Sequence, residues 1–198
     1  MNKKQCLKRR KNNMNKPQGY DEAQAFGEFE TLPAGGYKCI IKKVACETAS
    51  NGKEFLKLAI DIAEGEYKDF FKKKFDSDTR VIDKKWSGVW TVFIEGYNPG
   101  TTNPKFKGLI TSVEASNNGF KFDFAKEQDL TNKKVGLVFR EEEFLGTDGQ
   151  THSATKVFFA VSYDKAEEQK IPNKKTLNDS GANSSTGFQE INDENLPF

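Results

Sequence analysis

Histidine occurs once in the 198 residues, as His152, and cysteine three times, as Cys6, Cys39 and Cys46, with no C-x-x-C spacing. Neither a disulfide framework nor a Cys/His zinc site is indicated by so few ligands at such spacings. Long hydrophobic runs are missing as well: no stretch approaches the roughly 20 apolar residues that span a bilayer. The start, "MNKKQCLKRRKNN", is basic but leads into polar residues, so the apolar segment of a secretory signal is absent. A soluble, cytoplasmic protein without membrane contact is the expectation. The glycines form neither a phosphate-binding loop with its Lys-Ser/Thr nor a dinucleotide fingerprint.

Enzymatic chemistry has little to draw on. His152 sits in "DGQTHSATK", beside a hairpin turn and without a nucleophile motif, and reads as a solvated turn residue. "REEEF" places Glu141, Glu142 and Glu143 in a row. Adjacent strand residues point to opposite faces, so the three cannot converge on one metal ion, and they read as the exposed end of a strand. No catalytic residue, cofactor or metal is expected.

The formal charge of +2 hides a division: residues 1–16 hold seven Lys or Arg and no acid, and residues 176–198 hold Asp179, Glu190, Asp193 and Glu194 and no base. The middle is close to neutral, so a basic surface there has to come from local clustering. A start at Met14 instead of Met1 would remove six of the basic residues.

What is present reads as a small β domain. "LPAGGYKCIIKKVAC" predicts a first strand at about 36–46, and Asn51-Gly52 a tight hairpin, because both residues accept positive φ. "FLKLAIDI" alternates, with Leu56, Leu58, Ile60 and Ile62 on one face and Phe55, Lys57, Ala59 and Asp61 on the other. "YKDFFKKKF", residues 67–75, is read as the third strand, followed by a long, partly structured insertion over 76–103. A helix is expected at "PKFKGLITSVEASNNG", with Asn103 as N-cap, Pro104 at its first position and Phe106, Leu109, Ile110 and Val113 in one stripe. "KKVGLVFREEEFL" and "THSATKVFFAVSY" form a last hairpin through Asp148-Gly149. The expectation is a mainly β, five-stranded oligonucleotide-binding (OB) barrel with one short helix between strands 3 and 4 and disordered tails. Its parts are a basic flexible arm at 1–19, the domain at 20–165, a disordered linker at 166–189 and an acidic tip at 190–198.

The strongest chemical signal is aromatic rings interleaved with lysine in "EYKDFFKKKFDSDTRVIDKKWSGVWTVF". Single strands are held this way, with rings stacking on bases at about 1–3 kcal/mol each and cations following the phosphates. Alternation on a third strand would separate a Phe70, Lys72, Lys74 face from a Tyr67, Phe71, Lys73, Phe75 face, and Phe71 and Phe75 are assigned to the core. The surface set is then Phe55, Lys57, Lys72, Lys74, Arg80, Lys84, Lys85, Trp86 and Trp90.

The chain ends "NDENLPF". Phe198 offers a ring and the terminal carboxylate on one residue, Pro197 restricts the backbone before it, and Asp193 and Glu194 suit a basic rim. With Leu196 they form a docking tip for another protein. This ending resembles the acidic Pro-Phe tip of bacterial single-stranded DNA-binding proteins, with Asn192 and Asn195 in place of acids. The domain resembles the phage-encoded single-stranded DNA-binding proteins of Gram-positive hosts in "LPAGGYKCII", "SNGKEFLKLAIDIAEGEYK" and "LTNKKVGLVFREEEFLGTDGQ", over roughly 20–165. The resemblance implies a non-enzymatic protein of a phage-infected or lysogenic bacterial cell. Such a protein coats single-stranded DNA in replication or recombination and recruits replication, recombination or repair proteins by its tip, as a monomer or a homo-oligomer. Opposite charges at tip and domain further suggest that the tip competes with DNA for a basic groove. The alternative is an OB-type protein-interaction module, a recombination accessory or virion component, without DNA binding of its own; a metal-dependent nuclease is a distant third.

Overall fold

The computed structural model describes residues 16–18, 20, 31–78 and 83–177. The chain divides into two compact units, Met1–Glu30 and Thr31–Phe198. In the first, the Tyr20 N–H donates to the Pro17 carbonyl (3.3 Å) and the Lys16 ammonium lies 5.4 Å from the Tyr20 ring centre. Arg80 and the tip at 190–198 lie outside the described residues, as do most of the basic arm and the later part of the expected linker.

The second unit is mainly β. Its strands are β1 (Gly35–Thr48), β2 (Glu54–Ile62), β3 (Val89–Phe93), β4 (Lys134–Leu145) and β5 (Thr151–Val161). They form one antiparallel sheet in the order β3-β2-β1-β4-β5, in which β3 and β5 are edges and are not paired with each other. Among the described residues two α-helices accompany it, α1 (Phe70–Ser77) and α2 (Pro104–Ser116). Both hairpin pairs turn where expected, Gly52 at φ 80° and Gly149 at φ 75°, and the Asn51 side chain accepts the Lys53 N–H at 3.1 Å. At the start of α2, the Asn103 side chain accepts the Lys105 N–H ahead of Pro104, as a cap should.

The third strand differs from expectation. "YKDFFKKKF" supplies a turn and α1, and the strand lies in the segment assigned to an irregular insertion, where Val89, Thr91 and Phe93 are exposed while Trp90 and Val92 are buried. The competing period was helical: Phe71 and Phe75 are four apart, and so are Lys72 and Asp76, whose side chains join at 2.6 Å. Alternation alone could not separate the two, because a run of aromatics and lysines satisfies either period.

The sheet's inner face, α2 and the start of α1 enclose one core that includes Ile41, Leu58, Ile60, Leu109, Val113, Leu137 and Phe139. In β1 both Ile41 and Val44 point inward, three residues apart. The register shift between Ile41 and Lys43 makes this possible and leaves Lys42 and Lys43 exposed together. The ordered fold also runs past the boundary set at residue 165. Ala166 is fully buried, and Lys175 pairs with β4, its N–H donating to Glu141 and its carbonyl accepting from Glu143, each at 2.9 Å. Gly36 permits this, since a Cβ there would overlap the Ala166 carbonyl.

α1 is tied to β2 by a buried carboxylate. Asp61 is fully buried, and its Oδ1 accepts the Ile62 N–H at 3.0 Å and the Phe71 N–H at 3.1 Å. The Phe71 N–H is an orphan donor of the helix's first turn, and Asp69 at the cap position makes no side-chain bond to replace it. Gly88 lets the chain return to β3 against this corner, since a Cβ would lie 2.5 Å from Phe71 Cγ and 2.6 Å from the Ile60 carbonyl oxygen.

Burial raises the Asp61 pKa above its ordinary 3.8, against the lowering effect of the two N–H donors. The folded state therefore holds this proton more tightly than the unfolded chain. The contribution of Asp61 to stability is complete at pH below 3.8 and falls as pH rises toward the raised value. Asp61→Asn keeps an acceptor for Phe71 and removes the titration, so urea melts from pH 4 to 7 should show equal or greater stability than the parent at pH 7 and a flatter pH profile. Asp61→Ala leaves the Phe71 donor unsatisfied and should cost about 1–3 kcal/mol.

Candidate nucleic-acid interface

The outer face of β2 and β3 carries a short aromatic and cationic ladder. Phe55 stands opposite Phe93, with ring centres 5.5 Å apart and planes at 55°. Lys57 stands opposite Thr91, and Ala59 opposite Val89. Strand alternation produces this: the inward residues Leu56, Leu58, Trp90 and Val92 fill the core, and their neighbours are left facing solvent. Phe93 is 37% exposed and Val89 42%, so apolar surface is presented here rather than buried. The Lys57 ammonium lies 3.5 Å from Glu47 on β1, an exposed pair that water screens and that yields easily to a competing phosphate. Beyond Phe93, the Lys53 ammonium donates to the Gly96 carbonyl at 2.8 Å, within the turn that carries Tyr97, whose side chain is 98% exposed.

A second cluster sits at the other end of β2. The Trp86 indole N–H donates to the Ile60 carbonyl at 3.0 Å, and the Trp86 ring lies 5.8 Å from that of Phe75 on α1. The Lys84 ammonium lies 5.6 Å from the Phe75 ring centre. Lys85 is exposed beside them, as are Lys72, Lys73 and Lys74 on α1. Asp76 holds the Lys72 ammonium and raises its pKa, so Lys72 is charged but engaged. Ile60 and Phe55 are five residues apart on one strand, which separates the two clusters by about 17 Å. A cavity of about 630 Å³ opens next to the second cluster, bordered by Lys74, Phe71, Gly88 and residues 153–157 of β5.

The residues read from the sequence as one surface therefore divide. Phe55 and Lys57 belong to the sheet face; Lys74, Lys84, Lys85 and Trp86 belong to the α1 corner, with Lys72 nearby. Trp90 leaves the set, because it faces inward and is 6% exposed. Phe70 and Phe71 are both buried in the core, so the two-faced third strand does not exist. Phe75, assigned to the core, is half-buried between Trp86 and Lys84. Sequence reasoning missed Phe93 and Tyr97. The signal for Phe93 was the alternation Val89, Thr91, Phe93 against Trp90, Val92, hidden by the turn-rich segments on either side.

The three glutamates alternate as expected but are only partly exposed. Glu141 and Glu143 share one face, where the Lys174 ammonium bonds them at 2.8 and 3.0 Å and lowers both pKa values. Glu142 is on the other face. Burial pushes its pKa up, but the Arg140 bond at 2.6 Å outweighs this and holds it low. His152 is paired with Asp148 at 2.9 Å and stacks on Phe144 at 5.7 Å. Among the described residues no group of three or more His, Cys, Asp or Glu side chains is placed to hold a metal ion.

Residues 18–87 match the family model described as "Protein of unknown function (DUF669)". The chain is similar to that family over β1, β2, α1 and Trp86, and the match ends just before β3. No curated protein matches the chain.

The two tryptophans should behave differently. Trp86→Phe removes the bond to the Ile60 carbonyl and should cost about 0.5–1.5 kcal/mol, while removing most of the acrylamide-quenchable fluorescence. Trp90→Ala should lower stability by about 3–5 kcal/mol, as for other large aromatics lost from a core.

Proposed function

We propose that this protein binds single-stranded DNA along the outer face of β2 and β3, continuing past the α1 corner. The observation that carries the reading is the ring pair of half-buried Phe55 and exposed Phe93 beside Lys57, on the outer face of a sheet whose inner face forms the core. Two rings at base-stacking height and a cation beside them supply the sequence-tolerant contacts that a single strand offers, while a duplex buries its base faces.

The fold is read as an OB type. In that class a Greek-key sheet of five strands carries a helix between the third and fourth strands, and oligonucleotides lie on strands 2 and 3 and the loops 1–2 and 4–5. The order β3-β2-β1-β4-β5, with α2 between β3 and β4, supports this reading, although β3 and β5 are not paired with each other. The 1–2 loop contributes Lys53 and the 4–5 hairpin Phe144, 40% exposed, with Lys156 5.9 Å from its ring centre. The resemblance of the domain and the tip to phage-encoded and bacterial single-stranded DNA-binding proteins supports a coating role in DNA replication or recombination in the cytoplasm of a phage-infected or lysogenic cell. Asp193, Glu194, Leu196, Pro197 and Phe198 would then recruit partner enzymes. No described helix is long and apolar enough to cross a membrane.

A fluorescent oligo-dT titrated at two salt concentrations, beside duplex of equal length, tests this. Strong, salt-weakened binding of the single strand and poor binding of the duplex are expected. Phe55→Ala and Phe93→Ala should each weaken binding by about 5- to 150-fold, the equivalent of 1–3 kcal/mol of stacking. Lys57→Ala should reduce the slope of log affinity against log salt by about 0.7, the release of one phosphate's counterion. Absence of binding at low salt would overturn the reading and leave a protein-interaction module.

A further inference from the structure

The bulge in β1 changes what the sheet offers to solvent on the side away from the core. Ile41 and Val44 are both buried, and regular alternation leaves one outward residue between two inward ones. The extra residue puts Lys42 and Lys43 out together. The pairing register then fixes their neighbours. Lys43 stands opposite Ala59 and Ala45 opposite Lys57, and β2 carries these rows on to β3, with Val89 opposite Ala59, Thr91 opposite Lys57 and Phe93 opposite Phe55. Residues opposite one another in an antiparallel pair share a face, so three strands contribute to one outer surface.

Across that surface the chemistry changes from flank to flank. The β1 flank carries Lys42 and Lys43, whereas the β3 flank carries Val89 and Phe93, 42% and 37% exposed. Lys57 stands between, and its row lies one same-face step of about 7 Å from the Lys43 row, on the scale of one nucleotide. The remaining positions of these two rows on β1 and β2 are Ala45 and Ala59, a residue type that strands disfavour. Their small side chains leave an open floor beside the two lysines. Glu47 is the acid of β1 on this face; it stands in the Phe55 row, where Lys57 engages it at 3.5 Å. The cations therefore run from Lys57 away from the β1–β2 hairpin and toward the bulge. There Asp61, whose charge acts on Lys42, is buried and accepts the Ile62 and Phe71 N–H groups.

A single strand has the same asymmetry, with charge along its backbone and apolar faces on its bases. We propose that Lys42, Lys43 and Lys57 form a phosphate rail, along which the strand's backbone runs with its bases turned toward Phe55, Phe93 and the β3 edge. The rail rests on the strand-binding reading and adds an orientation to it: phosphates over β1 and β2, bases over β2 and β3. It also joins the two aromatic clusters. Lys43 stands opposite Ala59, next to the Ile60 carbonyl that the Trp86 indole bonds, so the rail leads from the Phe55–Phe93 pair to the α1 corner.

Titration of oligo-dT over a range of salt concentrations tests the rail. Lys42→Ala and Lys43→Ala should each lower the slope of log affinity against log salt by about 0.7, and the double variant by about 1.4. Both side chains are exposed, so the urea midpoint should stay at the parent value, and Lys170→Ala, exposed beyond β5, should leave the slope unchanged. Iodouracil in the bound strand should crosslink to Phe55, Phe93 or Trp86. A parental slope in the double variant, while Lys57→Ala still lowers it, would overturn the rail and leave strand binding standing. Base crosslinks centred on 42–45 would do the same. Failure of the parent to bind any oligonucleotide at low salt would overturn both, which keeps the two failures apart.

Discussion

Every other element depends on β1 changing partner along its length. Its first part, Gly35 to Ile40, pairs with β4, and its second, Cys39 to Thr48, pairs with β2. Only Cys39 and Ile40 are paired on both sides. Two antiparallel groups are thereby joined through a strand overlap of two residues, and their inner faces contribute to one core. The bulge after Ile41 keeps Ile41 and Val44 both inward while the strand passes from one group to the other. The same arrangement leaves β3 and β5 as edges that face a common gap instead of each other's hydrogen bonds. The outer ladder of β2 and β3 and the cavity at the gap are both consequences of that one strand.

Local rigidity is concentrated where the candidate surface turns the corner from sheet to helix. Asp61 satisfies a first-turn donor of α1 from within β2, Gly88 admits Phe71 without a Cβ in the way, and the Trp86 indole bonds the Ile60 carbonyl. Three residues, one on β2 and two on the stretch leading into β3, fix the same point, so Phe75, Lys84 and Lys74 stand on a braced platform. The exposed ion pairs, Lys72 with Asp76 at this corner and Lys57 with Glu47 on the sheet face, contribute little to folding and leave the lysines available for exchange with phosphate.

Much of the fold was legible because its signals are local. Gly52 and Gly149 turn through positive-φ conformations that few other residues accept, and Asn103-Pro104 starts a helix by satisfying and removing donors. The clean alternation of Leu56, Leu58, Ile60 and Ile62 marks β2. The third strand was not legible, since Phe70, Phe71 and Phe75 fit a strand face and a helix stripe equally well. The decision rested on Asp61 accepting from Phe71, a contact ten residues apart in sequence. The candidate surface was half legible for the same reason. Phe55 and Lys57 follow from alternation in β2, whereas Phe93 required knowing that β3 lies at 89–93 and in which register.

The sequence by itself determined the class of the protein: a small β domain poor in catalytic side chains, with lysines among aromatics and acids without bases over 176–198. Those properties reside in composition, spacing and turn chemistry, which act over a few residues. Only the tertiary structure decided which rings are core and which are surface, because Trp86 and Trp90 lie four residues apart in one chain segment and differ only in what packs against them. It also decided that Lys174 meets Glu141 and Ser153, which happens only after two strands and the segment beyond β5 have been brought together.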